Sequence, residues 1–167
     1  PGVLRRIDIV TFADIDNDGD NDALTGIWHY NEDVVAEMSD RCAVMLNDGE
    51  GHFTHLKNNG VDDLGLISVS GFSFLDYDLD GVLDVYVATY SQDHPSSKFI
   101  QDFLLKGNGD GTFTDVSLET GIIFVQFPMQ GASVTDWNND KYPDIFTSPY
   151  CRSDGNLWRN NGDGTFT

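Results

Sequence analysis

Residues 76–84 read D-Y-D-L-D-G-V-L-D, a short stretch with aspartate at positions 1, 3, 5 and 9 and glycine at position 6. Related stretches begin at residue 14, D-I-D-N-D-G-D-N-D, and at residue 136, D-W-N-N-D-K-Y-P-D. Their starting points are 62 and 60 residues apart. We call the stretches at residues 14–22, 76–84 and 136–144 loops one, two and three. Their regular spacing indicates an internal repeat.

A second motif recurs with the same spacing. It reads V-M-L-N-D-G-E-G-H-F-T from Val44, L-L-K-G-N-G-D-G-T-F-T from Leu104 and L-W-R-N-N-G-D-G-T-F-T from Leu157. Its asparagines and glycines provide the positive φ that tight hairpin turns require. Two motifs repeated together three times predict three copies of one unit, at residues 7–60, 67–118 and 127–167.

Each copy has the pattern of four short strands. Alternating apolar residues precede the acidic loop, a β-rich run follows it, a third run leads into the glycine turn, and a fourth strand surrounds an aligned phenylalanine. We therefore predict an all-β fold of three four-stranded antiparallel blades of the β-propeller type, in one repeat domain over residues 1–167. Sustained helical periodicity is missing from the sequence, and we expect one helical turn at most, within a loop insertion at residues 31–40.

The composition and charge of the chain exclude some classes of function. The chain has 167 residues, 9 basic and 28 acidic side chains and a formal net charge of −19, which disfavours binding to nucleic acid. We predict no membrane span, because no apolar run approaches the roughly 20 residues that a transmembrane helix needs. The three loops hold 12 of the 28 acidic residues. Charge at this density raises the free energy of the folded chain unless a cation lies within it.

The oxygen donors in the loops have the spacing of a calcium site. Ca²⁺ binds about six to eight oxygens, and a tight loop directs the side chains at positions 1, 3 and 5, the carbonyl at position 7 and the side chain at position 9 to one point. The predicted ligands in loop one are Asp14, Asp16, Asp18, the carbonyl of Asp20, and Asp22. Those in loop two are Asp76, Asp78, Asp80, the carbonyl of Val82, and Asp84. Those in loop three are Asp136, Asn138, Asp140, the carbonyl of Tyr142, and Asp144.

Loop three is the weaker copy. It has one charged ligand fewer, and Lys141 occupies the glycine position, where positive φ is unfavourable for other residues. We therefore predict two strong Ca²⁺ sites and a weaker third. An EF-hand would need Glu at position 12 and flanking helices, whereas position 12 is Thr25, Val87 and Thr147. Mg²⁺ is less suitable because it retains its waters, and metal-free Asp-rich turns stay the simplest alternative.

The arrangement D-x-D-x-D-G-x-x-D between two strands, followed by an N-x-G-x-G-x-F hairpin, resembles the FG-GAP/VCBS repeat. That repeat forms the blades of integrin α-chain propellers and of many secreted bacterial propellers. The resemblance covers residues 7–167 in three copies, with a degraded motif in the third. It implies Ca²⁺ in the loop between the first two strands of each blade. It also implies an extracellular, cell-surface or periplasmic location and a role in adhesion, recognition or scaffolding.

Three blades are too few to close a ring and leave two open sheet faces. We expect either that the chain is part of a longer protein or that neighbouring chains complete it as an oligomer or extracellular filament. The partner would be a protein, a glycan or a second copy. An accessory propeller of a carbohydrate-active enzyme is a further alternative.

Catalysis by this chain is not expected, because no nucleophile–base pair can be identified in the sequence. Cys42 and Cys151, the two cysteines, show neither a zinc spacing nor a nucleophile signature. An intrachain disulfide, an interchain disulfide and free thiols stay open as alternatives.

Overall fold

A computed structural model describes residues 7–28, 42–64, 67–92, 101–122, 127–150 and 154–167. Within these ranges the fold is all-β, with three antiparallel sheets of four, four and three strands, each in consecutive order. Sheet one contains β1 (Ile9–Ala13), β2 (Asp22–Gly26), β3 (Ala43–Asn47) and β4 (Phe53–Leu56). Sheet two contains β5 (Ile67–Leu75), β6 (Asp84–Gln92), β7 (Phe103–Gly107) and β8 (Phe113–Asp115). Sheet three contains β9 (Met129–Thr135), β10 (Asp144–Pro149) and β11 (Leu157–Trp158).

The third sheet has three strands where we predicted four. Phe166 aligns with the first residue of β8, but it forms only an isolated bridge with Asn160. A pairing this short satisfies too few hydrogen bonds to count as a strand.

Two short helical segments connect strands within the described ranges. A 3-10 turn covers Asp62–Leu64 after sheet one, and the four-residue helix α1 covers Ser117–Thr120 after sheet two. Neither was predicted, because four residues are too few to show a 3.6-residue period. None of the helices in the described part of the chain has the length and hydrophobicity of a membrane span. The turn expected at residues 31–40 and the residue Cys151 lie outside the described residues, whereas Cys42 is buried.

Sheet two packs between the other two sheets. One apolar cluster fills the space between sheets one and two, with Leu24 and Val44 on one side and Val85 and Val87 on the other. A second cluster fills the space between sheets two and three. The first pair of sheets approaches so closely at Gly26 that a Cβ atom there would lie 3.0 Å from the Phe72 ring. The core is therefore made between sheets, as in stacked blades.

One aromatic residue from each copy joins the three sheets. Trp28, Tyr90 and Tyr150 each follow the first residue of their loop by 14 positions. The ring centroids of Trp28 and Tyr90 are 4.8 Å apart, and those of Tyr90 and Tyr150 are 5.2 Å apart. Rings at these distances contribute stabilisation beyond the burial of their area. These contacts favour sheet-to-sheet packing as the role of this position.

Candidate metal sites

The last aspartate of each loop anchors the loop to its sheet. Asp22, Asp84 and Asp144 are fully buried at the start of β2, β6 and β10. Each accepts one backbone N–H from position 2 of its own loop and one from the end of the third strand or the residue equivalent to it. Asp22 accepts from Ile15 and Asn47 at N···O distances of 2.9 and 2.8 Å. Asp84 accepts from Tyr77 and Gly107, both at 2.9 Å. Asp144 accepts from Trp137 and Asn160 at 3.2 and 2.8 Å.

Burial of this carboxylate has an electrostatic cost. In loop two, desolvation raises the pKa of Asp84 to about 7, although the two backbone N–H bonds act in the opposite direction. Each of the two carboxylate oxygens of Asp84 accepts one backbone N–H. Each oxygen also keeps a second lone pair that can accept a further bond. The anchor can therefore hold the loop and contribute to a cation site together.

The first aspartate of each loop fixes the turn. In loop one, Asp14 accepts N–H bonds from Asp18 and Gly19 at 3.0 and 3.1 Å. Asp76 and Asp136 make the same pair of bonds in loops two and three. The backbone has positive φ at position 4 and again at position 6, where Lys141 has a φ of 84°. Lys141 therefore adopts the left-handed conformation that glycine occupies in the other loops.

Loop one brings carboxylates together, and none of the ion pairs among the described residues involves them. One oxygen each from Asp14, Asp16 and Asp18 can lie within 4.8 Å of one another. Asp16 Oδ1 and Asp20 Oδ1 are buried and have no hydrogen-bond partner. Burial, followed by the charges of Asp22 and Asp18, raises the pKa of Asp16. Buried acceptors that lack a donor are what a bound cation would satisfy, so the residues of loop one fit Ca²⁺.

Loop two contains a cation of its own. The ammonium group of Lys106, on β7, donates to Asp78 Oδ2, and it donates to Asp80 Oδ2 at 2.7 Å. It also lies 5.7 Å from the centroid of the Tyr77 ring. The hydrogen bond from Lys106 lowers the pKa of Asp80.

Loop two also brings carboxylates together in the way that a metal site requires. Oxygens of Asp76, Asp78 and Asp84 can lie within 4.8 Å of one another, and Asp78 Oδ1 is buried without a partner. Its residues therefore fit Ca²⁺ too, but a metal there would share Asp78 with Lys106. Sequence reasoning missed Lys106. The signal was present in the aligned second motif, where one position is occupied by Leu46, Lys106 and Arg159 in the three copies.

In loop three, a side chain of the loop itself donates a hydrogen bond to a carboxylate. The amide of Asn138 donates to Asp140 Oδ2 at 2.8 Å, which occupies an oxygen that would otherwise be available to a cation. The guanidinium group of Arg159 donates to Asn161 Oδ1 at 3.3 Å. In all three loops the residue at position 7 donates its backbone N–H to the position 5 carboxylate. The carbonyls of Asp20, Val82 and Tyr142 stay predicted ligands.

A further acidic group lies in the second motif of copy one. Oxygens of Asp48 and Glu50 and a ring nitrogen of His52 can lie within 4.8 Å of one another, and all three residues are exposed. His52 Nδ1 is 2.9 Å from Asp48 Oδ2. Sequence reasoning assigned no role to these residues, and their contacts are those of an ordinary polar turn.

Comparison with known proteins agrees with the geometry. The sequence profile of the FG-GAP-like repeat matches residues 76–147, which run from the first residue of loop two into β10. No curated protein matches the chain. The match confirms the family that the loop and hairpin motifs resemble, and this repeat suggests a β-propeller-type module. Residues 76–147, with loops two and three and the strands between them, are therefore an FG-GAP-like repeat.

Proposed function

We propose that the chain is a calcium-binding, β-propeller-type repeat module that acts in adhesion, recognition or scaffolding outside the cytoplasm. The observation that carries the proposal is the set of buried carboxylate oxygens without partners, on Asp16 and Asp20 in loop one and on Asp78 in loop two. Acceptors of this kind are rare in folded proteins unless an ion or water completes them.

The geometry supports three carboxylates in each of the first two loops as metal ligands. In loop one these are Asp14, Asp16 and Asp18, and in loop two they are Asp76, Asp78 and Asp84. The ion would supply charge compensation and oxygen coordination, not a reaction. Its binding free energy would add to the stability of the fold, because the unfolded chain does not hold the donors together.

The extracellular location is part of the proposal and has its own support. A chain with a net charge of −19 and exposed acidic loops suits an environment with abundant Ca²⁺, where extracellular modules bind with dissociation constants of about 10⁻⁴ to 10⁻³ M. Catalysis is not part of it, because the acidic residues of the loops are used in loop structure and in the proposed coordination.

Calorimetric titration of the metal-stripped chain with Ca²⁺, followed by thermal unfolding with Ca²⁺ or chelator, tests the proposal. We expect saturable heat and a melting temperature that rises by several degrees in Ca²⁺. Titration with Mg²⁺ serves as the control and should give little heat, because Mg²⁺ retains its waters. No heat with Ca²⁺ and equal melting temperatures in both buffers would contradict calcium binding.

A further inference from the structure

The Asn160 side chain is hydrogen-bonded to two acidic loops at once. Its amide nitrogen donates to the carbonyl oxygen of Tyr77 in loop two at 2.8 Å and to that of Pro143 in loop three at 3.2 Å. Its amide oxygen accepts the N–H of Gly162 at 3.0 Å, so each end of the amide has the kind of partner that it requires. Asn160 is fully buried. It is therefore a link between two loops that belong to different copies of the repeat.

The contacts of Asn160 reach the parts of both loops that carry the predicted ligands. Tyr77 lies between Asp76 and Asp78, which are predicted ligands of loop two. The backbone N–H of Asn160 donates to Oδ1 of Asp144, the anchor of loop three, at 2.8 Å. Displacement of either loop would therefore break a hydrogen bond of this one residue.

Within the described residues, the equivalent positions of the other copies make no such link. Copy one has Asn47, whose amide donates to the carbonyl of Asn21 in its own loop at 3.1 Å. Copy two has Gly107, which has no side chain that could donate to loop one. Loop one nevertheless lies beside the second motif of copy two, since a Cβ atom on Gly109 would be 3.6 Å from Asn17 Nδ2. The hydrogen-bonded side chain is thus what distinguishes the contact of copy three with loop two.

The link makes the order of one loop depend on the order of the other. A surface loop opens locally at a lower free energy than the whole fold, so each loop has an ordered and an opened state. The two N–H bonds of the Asn160 amide form together only when both loops are ordered. Opening of loop two removes one acceptor from a buried amide, which leaves Asn160 less firmly held and so weakens its bonds to loop three.

We infer that the Asn160 side chain joins loops two and three into one cooperative unit, in which the ordering of either loop favours the ordering of the other. Loop one is outside this unit, because copy two has glycine at the linking position. The coupling acts equally in both directions, as equilibrium coupling between two sites must. One consequence rests on the proposed function: calcium in loop two would raise the calcium affinity of loop three and leave that of loop one unchanged.

Amide hydrogen exchange in chelator tests the coupling without any metal. Asp76→Ala removes the carboxylate that holds the turn of loop two through two backbone N–H bonds, so it should open that loop. We expect it to speed exchange at the backbone amides of Asp140 and Lys141 in loop three about fivefold. In an Asn160→Ala background, adding Asp76→Ala should leave the exchange of these two amides unchanged.

Two controls separate the link from a general loss of structure. Asp14→Ala removes the same two bonds from loop one and should leave exchange at Asp80 and Gly81 in loop two unchanged. Asn47→Ala removes an amide that bonds within its own copy, so it should loosen loop one and leave loops two and three unchanged. Circular dichroism checks the fold, and Asn160→Gly, which introduces the residue of copy two, replaces Asn160→Ala if that variant fails to fold.

The inference fails if Asp76→Ala leaves exchange in loop three unchanged, or if the response is equally large in the Asn160→Ala background. It also fails if loop two responds to Asp14→Ala as strongly as loop three responds to Asp76→Ala, because the effect would then come from sheet packing in general. None of these readouts depends on a metal. A failure of the coupling is therefore distinct from a failure of calcium binding, which the calorimetric titration detects.

Discussion

Loops one and two have the same backbone and nearly the same aspartates, but they neutralise their charge differently. Loop one leaves the oxygens Asp16 Oδ1 and Asp20 Oδ1 buried and without partners. Loop two has the Lys106 ammonium in contact with Asp78 and Asp80. The difference originates outside the loop. Lys106 lies on β7, and the equivalent position on β3 of copy one is Leu46.

A loop motif does not define a metal site by itself. Under the proposed calcium binding, an external cation would offset the repulsion among the carboxylates of loop one, whereas Lys106 partly neutralises loop two before any metal binds. We therefore expect loop one to dominate the response to calcium and loop two to retain more of its structure in chelator.

Loss of the anchor should damage both loops alike. Asp22→Ala and Asp84→Ala each leave two buried backbone N–H groups without an acceptor, which costs about 2–5 kcal/mol of unfolding free energy. Urea unfolding in chelator measures the loss. Asp84→Asn is the matched control, because it keeps one carbonyl acceptor and should lose roughly half as much. If only one loop were sensitive, the shared backbone frame would not be the common element.

Removal of the internal cation should make loop two resemble loop one. Ca²⁺ in loop two would share Asp78 with an ammonium group that repels it, so Lys106→Met should tighten calcium binding there about tenfold, or about 1.4 kcal/mol. Terbium luminescence sensitised by Tyr77, at position 2 of loop two, reports this loop. Arg159→Met at the equivalent position is the control and should leave it unchanged. Weaker metal binding in Lys106→Met would show that the lysine supports the site.

Neutralising position 3 should have opposite effects in the two loops. In chelator, Asp16→Asn removes one of several repelling carboxylates and should stabilise the chain by about 1 kcal/mol. Asp78→Asn instead removes an ion-pair partner of Lys106 and should destabilise it by about 1 kcal/mol. Melting temperatures of the metal-stripped variants measure both effects. Changes of the same sign would refute the contrast.

The two loops should also differ in their response to pH. The pKa of Asp16 is raised above 3.8 mainly by burial, so its contribution to stability is full below 3.8 and is lost as pH rises through the raised value. The pKa of Asp80 is lowered by Lys106, so its contribution is present above 3.8 and is lost as pH falls through the lowered value.

Urea unfolding of the metal-stripped chain between about pH 3 and pH 6 measures these slopes. Asp16→Asn should remove the loss on the alkaline side, and Lys106→Met should remove the loss on the acid side. Both slopes are expected to be small, because the two carboxylates are partly in contact with solvent. A slope that neither variant changes would have to come from other carboxylates.

Much of this fold could be predicted because the repeated motifs are visible in the sequence. The alternation of apolar residues around Phe72 and Phe74, together with the glycine turns, indicated where the strands lie. The positive φ of Lys141 was expected because glycine occupies the same position in loops one and two. The repeat spacing could not show that Phe166 forms only a bridge, since spacing locates a residue in the repeat and does not determine its hydrogen bonds. Nor could it place the Lys106 side chain, which lies 28 residues from Asp78 in sequence and reaches it only through sheet pairing.

The anchor aspartates have a consequence for how such a chain can evolve. Their partners are backbone N–H groups, which every residue except proline carries, so these bonds do not restrict which side chain the donating residue has. Ile15, Tyr77 and Trp137 differ completely in side chain and still make the same bond. Copies of one repeat unit can therefore diverge until only a few aspartates, glycines and one phenylalanine are shared, without losing the structure that those few positions maintain.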